Sequence, residues 1–134
     1  MTALTTQGDP KPPIKDALAA FFATDGYRVA AEVPKDWVLA TSPPLVTVHD
    51  DGGPLNWPIL SRNMIRVTVR AAGNPLARTI AMQASGYLHD NIPAGIADIH
   101  RTGGTAIIEA FDTDTGADLA SFTVNATVRT VITV

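Results

Sequence analysis

A chain of 134 residues with 46% hydrophobic and 17% charged side chains has the balance of one globular domain, which excludes a disordered chain. Thirteen acidic against ten basic residues give a net charge of −3, which excludes a strongly basic nucleic-acid binder and argues against a polybasic membrane patch. Cysteine is absent, so there is no disulfide framework, thiolate zinc site or cysteine nucleophile.

In chain order, residues 1–13 read as a flexible polar arm ending in Asp9-Pro10-Lys11-Pro12-Pro13, and 14–134 as a single domain. The start lacks a basic segment followed by an apolar one, so it is not expected to be a signal peptide. No apolar run approaches the roughly 18 residues of a membrane helix. Both features predict a soluble protein made in the cytoplasm. Ile14 to Thr24 reads as a helix, with Ile14, Ala17, Leu18, Phe21 and Phe22 on one face and Asp25-Gly26 as its stop. Tyr27–Val33 and Leu45–His49 read as strands, and 50–58 as a long exposed loop.

Met64–Ala71 alternates cleanly and reads as a strand. Gly73-Asn74-Pro75 opens a second helix, with Asn74 as N-cap and Leu76, Ile80, Ala84, Tyr87 and Leu88 as its stripe, ending near Asn91. Ile96–Arg101 and Thr105–Phe111 flank Thr102-Gly103-Gly104 as a predicted hairpin. After a turn at 112–116, Leu119–Val134 reads as one long strand. Phe122, Val124, Ala126, Val128, Ile132 and Val134 share one face of it. The order predicts an α+β fold: a mostly antiparallel sheet with two amphipathic helices on one face and an open face rich in Thr and Arg.

Catalytic signatures are lacking. His49, His89 and His100 show no metal-pair spacing, the serines lack a nucleophile elbow, and no phosphate-binding glycine motif precedes a helix. The segment Asp112–Asp118 faintly echoes a calcium loop. But Gly116 falls at its fifth position and Thr123 at its twelfth, so a solvated turn is the expectation. The expectation is a protein that is not an enzyme and uses no cofactor or metal.

Arg62, Arg66 and Arg70 share one face of a strand and repel one another unless acids or a partner sit opposite. Two readings stay open: pairing with acids of the same subunit, or a subunit or partner contact. Glu32, Asp36, Asp50, Asp51, Asp112 and Asp114 are the acids available. Trp37 reads as a cap over the core edge, and Trp57 as either a cap or an anchor in a partner. The candidate interface residues are therefore Arg62, Arg66, Arg70, Trp57, Asp50 and Asp51.

The order of these pieces resembles the tail-terminator proteins of long-tailed bacteriophages over roughly residues 14–134. The points of likeness are an amphipathic first helix, a strand running into Val33-Pro34, and Pro44-Leu45-Val46-Thr47-Val48 leading to Gly52-Gly53. Ile65–Ala71 then feeds a helix with Ala77 and Ala81, and terminal strands follow. Twenty Ala and only three Lys suit a phage of a GC-rich host. The resemblance implies a homohexameric ring at the head-proximal end of the tail tube in the virion. Such a ring stops tube growth and joins the head connector by contact alone. It implies as partners the tail tube protein and a connector or stopper, without nucleic-acid recognition or a membrane. The alternatives are another head–tail connector, a small-ligand-binding α+β domain, or a hydrolase built on the histidines.

Overall fold

The computed structural model describes residues 2–133. Its centre is a pair of twelve-residue antiparallel strands, β5 (Leu60–Ala71) and β8 (Asp118–Arg129), matched from Leu60↔Arg129 to Ala71↔Asp118. Strand β3 (Leu45–Asp50) adds antiparallel to β5, and β2 (Arg28–Ala30) adds parallel to β3. Helix α1 (Lys11–Phe21) lies over β2 and β3, while α2 (Asn74–Asp90) lies over β5 and β8. The architecture is the expected α+β with a mostly antiparallel sheet, and β2–β3 is its parallel pair among the described residues.

Strict alternation explains the centre. Ile65, Val67 and Val69 of β5 and Phe122, Val124 and Ala126 of β8 meet Ile14, Leu18, Ile80, Ala84 and Leu88 in one core. Ala77 and Ala81 are buried, while the predicted Leu76 is exposed. The small side chains let α2 sit close on the sheet. Gly73, at φ 99°, is the N-cap in place of Asn74, and its N–H donates to Asp118 Oδ2 at 3.0 Å.

Several boundaries differ from the reading of the sequence. Helix α1 begins at Lys11, because Pro12 and Pro13 occupy the first turn, where no N–H is needed. Upstream, β1 (Leu4–Thr6) pairs antiparallel with β9 (Val131–Thr133), so the arm contributes a strand. The chain leaves the sheet after Ala30. Residues 31–44 then cross the face opposite the helices to reach β3, since parallel neighbours need a crossover. Trp37, 5% exposed, caps a second small core with Leu45 and Ala117, as its position suggested, and donates Nε1–H to Pro43 O at 2.8 Å.

Residues 50–58 are not a free loop. Asp51 N–H donates to Met64 O at 2.9 Å, Met64 N–H to Gly52 O at 2.8 Å, and Arg62 N–H to Pro54 O at 2.9 Å. Strand β4 (Leu55–Asn56) continues the ladder on β5, and the chain reverses at Asn56–Ile59 through a cis Trp57-Pro58 bond. A Cβ on Gly53 would collide with the Arg62 carbonyl oxygen, so glycine permits this close pairing.

The predicted hairpin around Gly103-Gly104 does not form. Both β6 (Asp98–His100) and β7 (Ile108–Phe111) pair with β8 instead, one after the other along its edge. Finally, the long last strand breaks at Thr130. Ile132 is 68% exposed, although its parity matches the core, because it lies past the stretch of β8 that the helices cover. Val134 lies outside the described residues.

Candidate interaction surface

The arginine row divides in two. Arg66 Nε lies 3.1 Å from Asp51 Oδ2, with both side chains about half exposed. Arg70 Nε lies 3.2 Å from Asp112 Oδ2, and its Nη1 donates to Thr47 Oγ1 at 3.3 Å. Both pairs are internal, which favours the same-subunit reading for these two positions. Arg62 is exposed and has no acid partner among the described residues. It lines a shallow depression of about 290 Å³ with Pro54, Leu55, Asn56 and Leu60.

Asp50 is a structural residue. Its carboxylate accepts Asn63 Nδ2 at 3.1 and 3.0 Å and the Gly52 N–H at 2.8 Å, and thereby shapes the bend into β4. Ser61 Oγ completes the chain by donating to Asn63 Oδ1 at 2.7 Å. The carboxylate of Asp51 is engaged by Arg66.

His49 lies on the same face, its Nε2 3.3 Å from Thr47 Oγ1. The single Thr47 hydroxyl hydrogen goes to Thr68 O, so the imidazole must carry its proton on Nε2 to make this bond. Burial first, then the positive charges of Arg66, Lys11 and Arg70, lower its pKa from the ordinary 6.5, while Asp51 opposes them. Near neutral pH the ring is therefore uncharged. The other histidines bond locally, His100 Nε2 to Thr127 Oγ1 and His89 Nδ1 to Ser85 O, each at 2.8 Å. Among the described residues, no cluster of three or more His, Asp or Glu side chains could hold a metal ion. No helix there is long and apolar enough to cross a membrane.

Among the described residues, six of the thirteen large exposed apolar side chains lie at one end of the sheet, and Phe21, Val38, Leu76, Met82 and Ile92 are exposed singly on the helices and loops. Trp57 stands 52% exposed on the turn between β4 and β5, beside exposed Leu55 and Ile59. Thr130 ties this turn to the end of β8: its N–H donates to Ile59 O at 3.1 Å and its hydroxyl to Pro58 O at 2.5 Å. The β1/β9 ribbon continues directly from there and exposes Leu4, Val131 and Ile132. This apolar end unites one predicted residue, Trp57, with five that the sequence reading missed. The adjacent Val131-Ile132 pair breaks period-2 alternation and was the available signal. A separate patch, Ile108 and Phe111, lies on β7.

No protein-family model matches this chain, and no curated protein matches it in sequence.

Proposed function

We propose that this protein is a structural component of a phage virion, a tail terminator that forms a ring on the head-proximal end of the tail tube. The observation that carries the reading is the apolar end, where Leu4, Leu55, Trp57, Ile59, Val131 and Ile132 stay exposed on thin β elements. Uncovered apolar side chains gathered at one end of a domain mark a contact surface. The α+β order of elements supports the same reading.

Function would then follow from contact alone. One surface of the ring binds the last ring of tube protein and occupies the site where the next would add. A different surface receives the connector or stopper. Each subunit contact is small, but a closed ring makes many at once, so avidity supplies the strength. Arg62 and Trp57, near the turn, are the side chains best placed to meet a neighbour.

Deleting the gene from the phage and imaging the lysate tests the proposal. Tails of uncontrolled length, unattached to filled heads, are expected. Tails of normal length left unattached would shift the role to another connector, and normal infectious particles would refute a role in tail completion.

A further inference from the structure

The β1/β9 ribbon is the least self-sufficient part of the fold. Among the described residues, its two strands of three residues pair only with each other. Two-stranded ribbons are marginal in water and gain from a third strand. Proteins normally guard such edges with charge or proline. Elsewhere this chain does so: β6 carries Asp98 and His100, and β2 carries Arg28 paired with Asp36 at 3.4 Å. The ribbon, Leu4-Thr5-Thr6 against Val131-Ile132-Thr133, has neither device.

Strand β7 presents a second exposed apolar edge. All four residues of β7 are exposed, with Ile108 and Phe111 at 56% and 59%, and its apolar edge is guarded by one charge, Glu109, paired with Arg78 at 3.1 Å. Strand β7 pairs with the start of β8, at 118–121, whereas the ribbon follows its end at Arg129. At about 3.3 Å per strand residue the two lie on the order of 30 Å apart, so a chain cannot join its own. Their surroundings carry opposite charge. Exposed Arg62 and Arg129 sit at the root of the ribbon, and neither has an acid partner among the described residues. Strand β7 runs into a turn that exposes Asp114, while Asp112 there is already paired with Arg70.

We infer that the β1/β9 ribbon of one copy pairs with the free edge of β7 in a second copy of this chain. The inference rests on the ring-forming reading, since it names the contact between neighbouring subunits. Main-chain hydrogen bonds supply the pairing, the apolar side chains of Ile132, Val131, Ile108 and Phe111 cover one another, and the arginines meet the acidic turn. Ribbon and β7 are different patches, so the contact is heterologous and each added copy leaves one of each free. Such a contact propagates from copy to copy and gives a ring where the rotation between neighbours closes.

Thiol cross-linking tests this cleanly, because the chain has no cysteine of its own. Ile132→Cys and Ile108→Cys are placed, singly and together, in the full chain and treated with a short bis-maleimide over a range of protein concentrations. The double variant is expected to give a ladder of covalent oligomers. The two single variants mixed are expected to give dimers, and each alone to remain monomeric. A control pairing Ile132→Cys with Met82→Cys, exposed on α2, is expected to give no ladder. A monomeric mixture at every concentration, with unchanged circular-dichroism melting, would overturn the inference. Cross-linking of either single variant as strong as the mixture would do the same. A ladder with normal tails after gene deletion would keep this contact and remove the tail-terminator reading. Uncontrolled tails without a ladder would do the reverse.

Discussion

Arg70 and Asp112 are 42 residues apart in sequence, yet their side chains meet at 3.2 Å with only 15% and 16% of their surfaces exposed. This pair fastens the turn between β7 and β8 to the open face of the central strands. Thr47 bonds to the same guanidinium, so one arginine links β3, β5 and the turn. An arginine held this way is structural, which separates it from Arg62 despite their shared parity on β5.

The Asp112 carboxyl is held below the usual carboxylate range, first by the Thr115 hydroxyl and then by the Asp114 amide and Arg70, against burial that pushes it up. A depressed folded pKa contributes stability that is complete above the ordinary value. That contribution is lost as pH falls through the lowered one. Asp112→Asn is therefore expected to cost about 1–3 kcal/mol at neutral pH and to flatten the acid limb of the stability curve. Urea unfolding at a series of pH values checks it; a variant with the wild-type acid limb would refute the role.

His49 makes a second prediction with a different window. Its folded pKa lies below 6.5, so the unfolded chain binds the proton more readily. Stability is full above the ordinary histidine value and declines as pH falls from there through the lowered folded value. His49→Gln is expected to remove that decline near pH 6 while leaving the more acidic limb, set by Asp112, in place. An NMR titration showing His49 at or above the ordinary value would contradict it.

How much of this was legible follows from which forces act locally. Strands β5 and β8 and both helices could be read because burial of one face imposes a period on their residues. The ribbon could not, since three-residue strands carry no period and depend on a partner 127 positions away, as in Thr5↔Ile132. Gly103-Gly104 has the chemistry of a tight turn, but β8 claims both flanking segments, and the glycines instead let the chain pass close over β8, Gly103 at the Asn125 side chain and Gly104 at the Thr123 carbonyl. The arginine row was visible as parity. Its partners were visible only as members of a set of six acids, because which acid reaches which arginine is decided by tertiary packing.

Gly53 gives a third prediction. Its α-hydrogen faces the Arg62 carbonyl across the β4–β5 ladder, where a methyl group has no room. Gly53→Ala is expected to destabilise the protein by more than about 1 kcal/mol and to raise hydrogen exchange at the Arg62 and Met64 amides. Gly86, in the middle of α2, has open space where a Cβ would stand. Gly86→Ala is expected to be neutral or stabilising by up to about 1 kcal/mol, so the pair of variants isolates the steric cause.

The two tryptophans give the last. Both sit among prolines in irregular sequence, which reads Trp37 as a cap and leaves Trp57 open, and tertiary structure separates them. Trp37 fills the small core with Leu45 and Ala117 and satisfies its Nε1–H on Pro43, so Trp37→Ala is expected to cost about 3–5 kcal/mol. Trp57 keeps half its surface in water, and Trp57→Ala is expected to cost less than about 1 kcal/mol. Fluorescence separates them independently. With Trp57→Phe the remaining emission is expected to be blue-shifted and shielded from iodide, and with Trp37→Phe red-shifted and quenched. If added tail tubes or neighbouring subunits cover the apolar end, the quenching seen in the Trp37→Phe protein falls while the emission of the Trp57→Phe protein stays fixed. Quenching that persists in a demonstrated assembly would place Trp57 outside its contacts and leave the ribbon and β7 to carry them.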